Sequence, residues 1–169
     1  MHREARMFGG SVSSSHGLRA GDLSLSPDIE PPLGAHMVTP RRGYTHHGIY
    51  VGEWHVVQYG GLSRGLRGGP VEEVTLAEFA QGRPICHRPG ESLWFDRHEV
   101  VRRARMRLGE NRYNVFTNNC EHFCEWCVRG EHRSYQVEGI KRFCSRLRRG
   151  LAELLGLFPR RGSASRLVG

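Results

Sequence analysis

Lysine is almost absent from this chain of 169 residues: Lys141 is the only one among 25 basic residues. No apolar run approaches the length of a bilayer span, which excludes a transmembrane helix. The opening residues, Met1-His2-Arg3-Glu4-Ala5-Arg6-Met7, hold no apolar core, so no secretory signal is read there and cytoplasmic residence is expected. Cysteines number five, an odd count, and Cys120, Cys124 and Cys127 fall on one helical face, which argues against a disulfide framework. No internal repeat is present.

The net charge of +8 is also missing from most of the chain. Residues 139–169 hold eight basic residues and one acidic, +7, while the other 138 residues carry only +1. A near-neutral domain with a basic tail gives no ground for a nucleic-acid partner.

Composition fits one soluble domain with a real core and loose ends. Residues 1–20, rich in Ser, Gly and Arg, are expected to be disordered. The domain is assigned to residues 21–138, a basic amphipathic helix to 139–158, and a disordered tail to 159–169. In that helix Ile140, Phe143, Cys144, Leu147, Leu151, Leu154, Leu155 and Phe158 recur at helical spacing, flanked by Lys141, Arg142, Arg146, Arg148 and Arg149. Such a helix docks on the domain by its apolar stripe or lies on an anionic membrane surface.

Within the domain, Asp22–Ser26 and Ala35–Val38 are candidate strands, the latter ended by Thr39-Pro40. Gly60–Pro70 reads as a mobile loop. Thr75-Leu76-Ala77-Glu78 is a capping box opening a short helix that stops near Gly82. Pro84–Arg88 is a further candidate strand. Asp96–Leu108 is a helix with a stripe of Val100, Val101, Ala104 and Leu108, ended by Gly109.

Two stretches carry chemistry. The first is Gly43–Gly61, where β-rich runs flank Gly52-Glu53-Trp54. A three-residue loop at 52–54 sets Gly48 opposite Gln58 and puts His46, Gly48, Tyr50 and Gln58 on one face, with His47, Ile49 and Val51 on the other. A two-residue loop at 52–53 moves Gln58 beside His47 instead. Spacing alone leaves both histidines open.

The second is Arg112–Gly130. Arg112–Phe116 reads as a short strand, Asn118 and Asn119 as turn and N-cap residues, and Cys120, Phe123, Cys124, Cys127 and Val128 as the inward face of a helix stopped by Gly130. Cys120 thus falls in a first helical turn, where partial positive charge favours thiolate. Asn118 and Asn119 are candidates for oxyanion or N-cap support. His122 lies about 200° around the helix from Cys120 and is expected to fix the helix instead of serving the thiol. Glu121 and Glu125 are expected to be solvated. Cys124 and Cys127 form a C-x2-C pair, but no second pair follows, so they are read as core thiols and not as metal ligands.

A cysteine at a helix start, a histidine on a strand and a polar neighbour form a nucleophile, a base and an orienting group. At this point the chain resembles a known family. His46-His47-Gly48-Ile49-Tyr50-Val51-Gly52 is similar to the histidine box of the lecithin:retinol acyltransferase-like domains, and Asn119-Cys120-Glu121-His122-Phe123 matches their cysteine box. The resemblance covers about residues 20–130. It implies an α+β fold of the circularly permuted papain-like, NlpC type, with an antiparallel sheet packed against the helix that bears the nucleophilic cysteine.

By position, the resemblance makes Cys120 the nucleophile and His46 the base, which selects the register that faces Gly48 with Gln58. Gln58 stands where the family often has histidine. An amide there still accepts the imidazole N–H and fixes its tautomer. His47 replaces an aromatic or bulky residue and Trp54 a turn glycine. His47 is read as structural or, with Tyr44, as a candidate substrate contact. The implied activity is thiol-dependent acyl transfer or hydrolysis of a lipid or acyl ester through an acyl-thioester, with no cofactor. The alternatives are a cysteine peptidase or amidase, or a non-catalytic membrane- or protein-binding module.

Overall fold

The hairpin 44–59 gives the fold its centre. Its β-branched and aromatic residues alternate between two apolar surfaces, so both faces of the pair are buried. In the computed structural model, which describes residues 18–26, 28–60, 68–89 and 94–155, this hairpin is β3 (Tyr44–Gly52) and β4 (His55–Tyr59). The other strands are β1 (Leu23–Ser24), β2 (His36–Arg41), β5 (Val71–Thr75) and β6 (Cys86–Arg88). All pair antiparallel in the order β1-β6-β2-β3-β4-β5. Four helices accompany the sheet among the described residues: α1 (Leu76–Ala80), α2 (Arg97–Met106), α3 (Cys120–Arg129) and α4 (Tyr135–Leu154). The fold is α+β, as expected.

One sheet face, with Ile49, Val51, Val57 and Tyr59, packs against Val100, Val101 and Ala104 of α2 and Phe123, Cys124, Cys127 and Val128 of α3. Fully burying a side chain such as Phe123 stabilises by roughly 1.5–3 kcal/mol. The opposite face, with Met37, Tyr50 and Val56, packs against Phe79 of α1. Cys124 and Cys127 are wholly buried in the larger core. Gly48 is required where α1 crosses β3, because a Cβ there would collide with Val56 and sit 3.0 Å from the Phe79 ring.

Several expectations hold. α1 has Thr75 as N-cap in a reciprocal box with Glu78, and α3 ends at Gly130 with φ +73°. Gly48 faces Gln58. The loop differs from the three residues expected: Gly52 pairs with His55 after a bulge, so the turn is Glu53-Trp54, both in the left-handed region at φ 51° and 59°. The expected stop at Thr39-Pro40 is overrun, since β2 continues to Arg41. Pro40 lies beyond the last β2–β6 pair, Val38↔Cys86, where its missing N–H costs no ladder bond.

Arg112–Phe116 is not a strand. Asn114 Oδ1 accepts the N–H groups of Phe116 and Thr117 at 2.9 and 3.1 Å, and a turn follows in which only Asn114 bridges Asn118. Leu108 is 42% exposed because α2 ends two residues before it, so it is not part of the buried stripe. β5 is a strand that the sequence reading passed over.

The chain divides into two compact units, residues 1–136 and 137–169. α4 starts five residues before Ile140 and carries Ile140, Phe143, Leu147 and Leu151 exposed by 52–61%. The expectations for residues 1–17, 61–67 and 156–169 lie outside the described residues. Among the described residues no helix is long and apolar enough to cross a membrane.

Candidate active site

Asn119 decides where α3 begins. Its Oδ1 accepts the N–H groups of Glu121 and His122 at 3.0 and 3.1 Å, and its Nδ2 donates to the Val115 carbonyl at 2.8 Å. His122 completes the box: its Nδ1 accepts the Asn119 N–H at 3.3 Å. His122 therefore belongs to the cap. Asn118 faces elsewhere, donating to Tyr59 Oη, Glu110 and the Arg112 carbonyl at 3.1, 3.2 and 2.9 Å. It anchors the turn before the helix.

Cys120, the first residue of α3, is 3% exposed. β3 runs beyond its last pairing with β4, Gly48↔Gln58, so the main-chain groups of Thr45 and His47 need other partners. The Gln136 side chain takes both those of Thr45, accepting its N–H at 3.0 Å and donating to its carbonyl at 3.2 Å. The backbone amides of His47, Glu121 and Cys120 itself favour the thiolate form of the Cys120 sulfur. Burial nevertheless pushes the thiol up to about 12, with the Glu121 carboxylate adding to the rise. Desolvation thus outweighs the helix-terminus effect that favours a thiolate.

The neighbouring residue brings its side chain to the other face. His46 is buried, its ring 5.3 Å from that of Phe79. Its Nε2 lies 2.7 Å from Gln58 Oε1, and Gln58 Nε2 donates to Glu72 Oε1 at 3.2 Å. The Glu72 carboxylate fixes which way the amide points, so Gln58 presents its oxygen and His46 carries its proton on Nε2. Nδ1 is left unprotonated, buried and without a hydrogen-bond partner. Burial lowers this imidazole to about 4, against the Gln58 hydrogen bond, which raises it. Among the described residues no hydrogen bond joins the His46 ring to Cys120, although the amide of the next residue, His47, acts on the sulfur.

Tyr44 is partly buried, and burial followed by the charge at Cys120 raises its hydroxyl, so it borders the thiol. Tyr113, which sequence reasoning did not single out, is raised by the same two causes and stands edge-on to Tyr59 at 5.4 Å. Arg41 also feels Cys120. His47 lies on the α3 face, with Nδ1 2.8 Å from His36 Nε2 and Nε2 3.0 Å from Gln136 Nε2. Its side chain is locked into the core.

Glu121 and Glu125 are buried, contrary to the expectation of solvated carboxylates. Glu121 accepts from Arg19 at 2.9 Å, Ser134 at 2.7 Å and the Gln136 N–H at 2.9 Å, with Arg88 at 3.5 Å. Arg88 in turn forks onto Asp22 at 2.8 and 2.9 Å. The partners lie far away in sequence, so no local pattern announces the network. Glu125 stands 3.9 Å from His36 Nδ1 and 3.7 Å from Arg129.

Comparison with known proteins fits this frame. Residues 29–133 match the family described as lecithin retinol acyltransferase. The chain belongs to that family. It is 26% identical over 150 residues to the human protein named phospholipase A and acyltransferase 4, covering 78% of this chain and 87% of that one. It is 40% identical over 70 residues to mouse lecithin retinol acyltransferase, covering 38% of this chain and 29% of that one.

Proposed function

We propose that the protein transfers or hydrolyses acyl groups of lipid esters, with Cys120 as nucleophile, His46 as base and Gln58 as the group that orients the base. The observation that carries this reading is the His46–Gln58–Glu72 chain, which leaves a buried, unprotonated Nδ1 with no other partner one residue from the His47 amide that acts on the Cys120 sulfur. The thiol and the imidazole rest as a neutral pair, so the proton moves from Sγ to Nδ1 as the sulfur attacks the ester carbonyl. The imidazolium gives its proton to the leaving alkoxide as the acyl-thioester forms; His46 then takes a proton from the incoming water, hydroxyl or amine and returns it to Sγ as the acyl group departs. The amides of Glu121 and Cys120 provide dipoles at the reacting centre. Family membership and the two relatives' names support a lipid acyl substrate.

Intact-mass measurement after incubation with mixed lipid extracts tests the reading. An acyl increment on the wild-type chain, absent from Cys120→Ser, is expected; no increment, or an equal one on both, refutes it. The same experiment reports the acyl-chain class.

The basic helix α4 is read as a peripheral contact with anionic lipid, because its exposed stripe of Ile140, Phe143, Leu147 and Leu151 lies among five cationic side chains. Flotation with phosphatidylserine vesicles is expected for the full chain and is lost in Leu147→Asp/Leu151→Asp. Equal flotation of both removes the membrane role.

A further inference from the structure

On the His46 side of the sheet a concavity of about 420 Å3 opens between the residues leading into β2, the hairpin turn, α1 and the connection to β6. Its walls include Ile29, Trp54, Leu76, Ala77 and Ile85, and Arg83 is the one charged residue among its described lining. Size and character are those of a small-molecule site: mostly apolar, with one polar group to fix orientation.

The turn at its mouth is built at a cost. A two-residue turn with both residues left-handed suits Asn-Gly, yet this one holds Glu53 at φ 51° and Trp54 at φ 59°. A side chain with a Cβ is strained in that region. The conformation is held from both sides. Trp54 N–H donates to Tyr50 Oη at 2.9 Å, Tyr50 Oη donates to Glu30 at 2.6 Å, and the Trp54 carbonyl accepts the Leu76 N–H at 2.6 Å. Strain fixed in this manner places an indole, 41% exposed, facing the cavity beside an Ile29 that is 55% exposed.

The other end of α1 is cationic. Arg41 donates to the carbonyls of Phe79 and Ala80, and Arg83 donates to the Pro40 carbonyl at 3.3 Å. Among the described residues no carboxylate pairs with Arg41, Arg42 or Arg83. The cavity is therefore apolar at Trp54 and Leu76 and positive at Arg83.

We infer that this cavity takes the hydrocarbon chain of an anionic single-chain amphiphile, with the methyl end at Trp54 and the charged end at Arg83. The choice of an acyl chain rests on the lipid-ester reading of the Cys120 site; the binding itself requires no turnover.

Calorimetric titration of the full chain carrying Cys120→Ser, with decanoate, dodecanoate and tetradecanoate kept below their micelle concentrations, tests this. Affinity is expected to rise about fourfold per methylene, from roughly 0.8 kcal/mol for each buried CH2. Ala77→Trp fills the cavity from an exposed helical position and is expected to weaken dodecanoate at least tenfold. Arg83→Gln is expected to weaken dodecanoate about tenfold and leave dodecanol unchanged. Affinity independent of chain length overturns the inference, as does wild-type binding by an Ala77→Trp chain whose circular dichroism and unfolding midpoint are intact. Dodecanoate that competes with adduct formation on the wild-type chain assigns the site to the substrate's acyl chain. Binding without competition assigns it to a free fatty acid. An acyl adduct with no dodecanoate binding sinks this inference and leaves the acyl-transfer reading standing; binding without an adduct does the reverse.

Discussion

Acid should weaken this fold through His46 by a calculable amount. The imidazole sits at about 4 when folded and near 6.5 when unfolded, because burial disfavours the cation. A lowered histidine binds fewer protons in the folded state. Stability is therefore complete above the unfolded value, falls as the pH drops through 6.5, and stops falling near 4, where both states are protonated. At pH 4.5 the unfolded side chain is almost fully charged and the folded one mostly neutral, a loss of about 2.5 kcal/mol relative to pH 7. His46→Gln keeps an N–H donor but cannot titrate. Urea unfolding at pH 7 and pH 4.5 should show the wild type losing about 2.5 kcal/mol more than the variant, roughly 1 M in midpoint at a slope near 2 kcal/mol/M. His36 and His47 are also lowered by burial, but they are common to both proteins and cancel in the difference. If wild type and variant lose stability in parallel, His46 is not held neutral by burial, and its assignment as a ready base falls with it.

Three further outcomes follow from the contacts. Gln58→Leu strands the His46 Nε2–H and should slow single-turnover acylation of Cys120 by roughly ten- to a hundredfold, the worth of a buried hydrogen bond of about 1.5–3 kcal/mol. Glu121→Ala leaves the buried Arg88 guanidinium with Asp22 alone and should cost about 3–5 kcal/mol in denaturant unfolding. Gly48→Ala drives a methyl into Val56 and the Phe79 ring and should cost about 1–3 kcal/mol. Because Phe79 backs His46, the same variant should also lower the acylation rate.

Features written in adjacent residues were the legible ones. Asn119 and Gly130 bracket α3, and the Thr75–Glu78 box opens α1, because caps are interactions between residues three or four apart. The pairing of Gly48 with Gln58 was within reach of alternation, but choosing it over the other register needed the family resemblance. What stayed hidden depends on distance or on local competition. Arg112–Phe116 has the residue types of a strand, yet the Asn114 side chain supplies turn bonds that β-propensity does not count. Glu121 looks like a solvated helix residue until Arg19 and Arg88, over thirty residues away, reach it. The balance of effects at Cys120 is hidden for a related reason. A helix N-terminus is visible in sequence, whereas the depth at which the sulfur is buried is not.

The contact between Cys120 Sγ and the His47 amide has a consequence for how turnover can be watched. The sulfur lies near an amide of β3 just past that strand's last pairing with β4. If Cys120 carries the acyl group as proposed, acylation takes charge density from the sulfur and adds bulk beside the His47 amide. The His47 amide proton is in effect a built-in gauge of the sulfur's chemical state, readable by its NMR shift and hydrogen exchange at a site that takes no part in bond making.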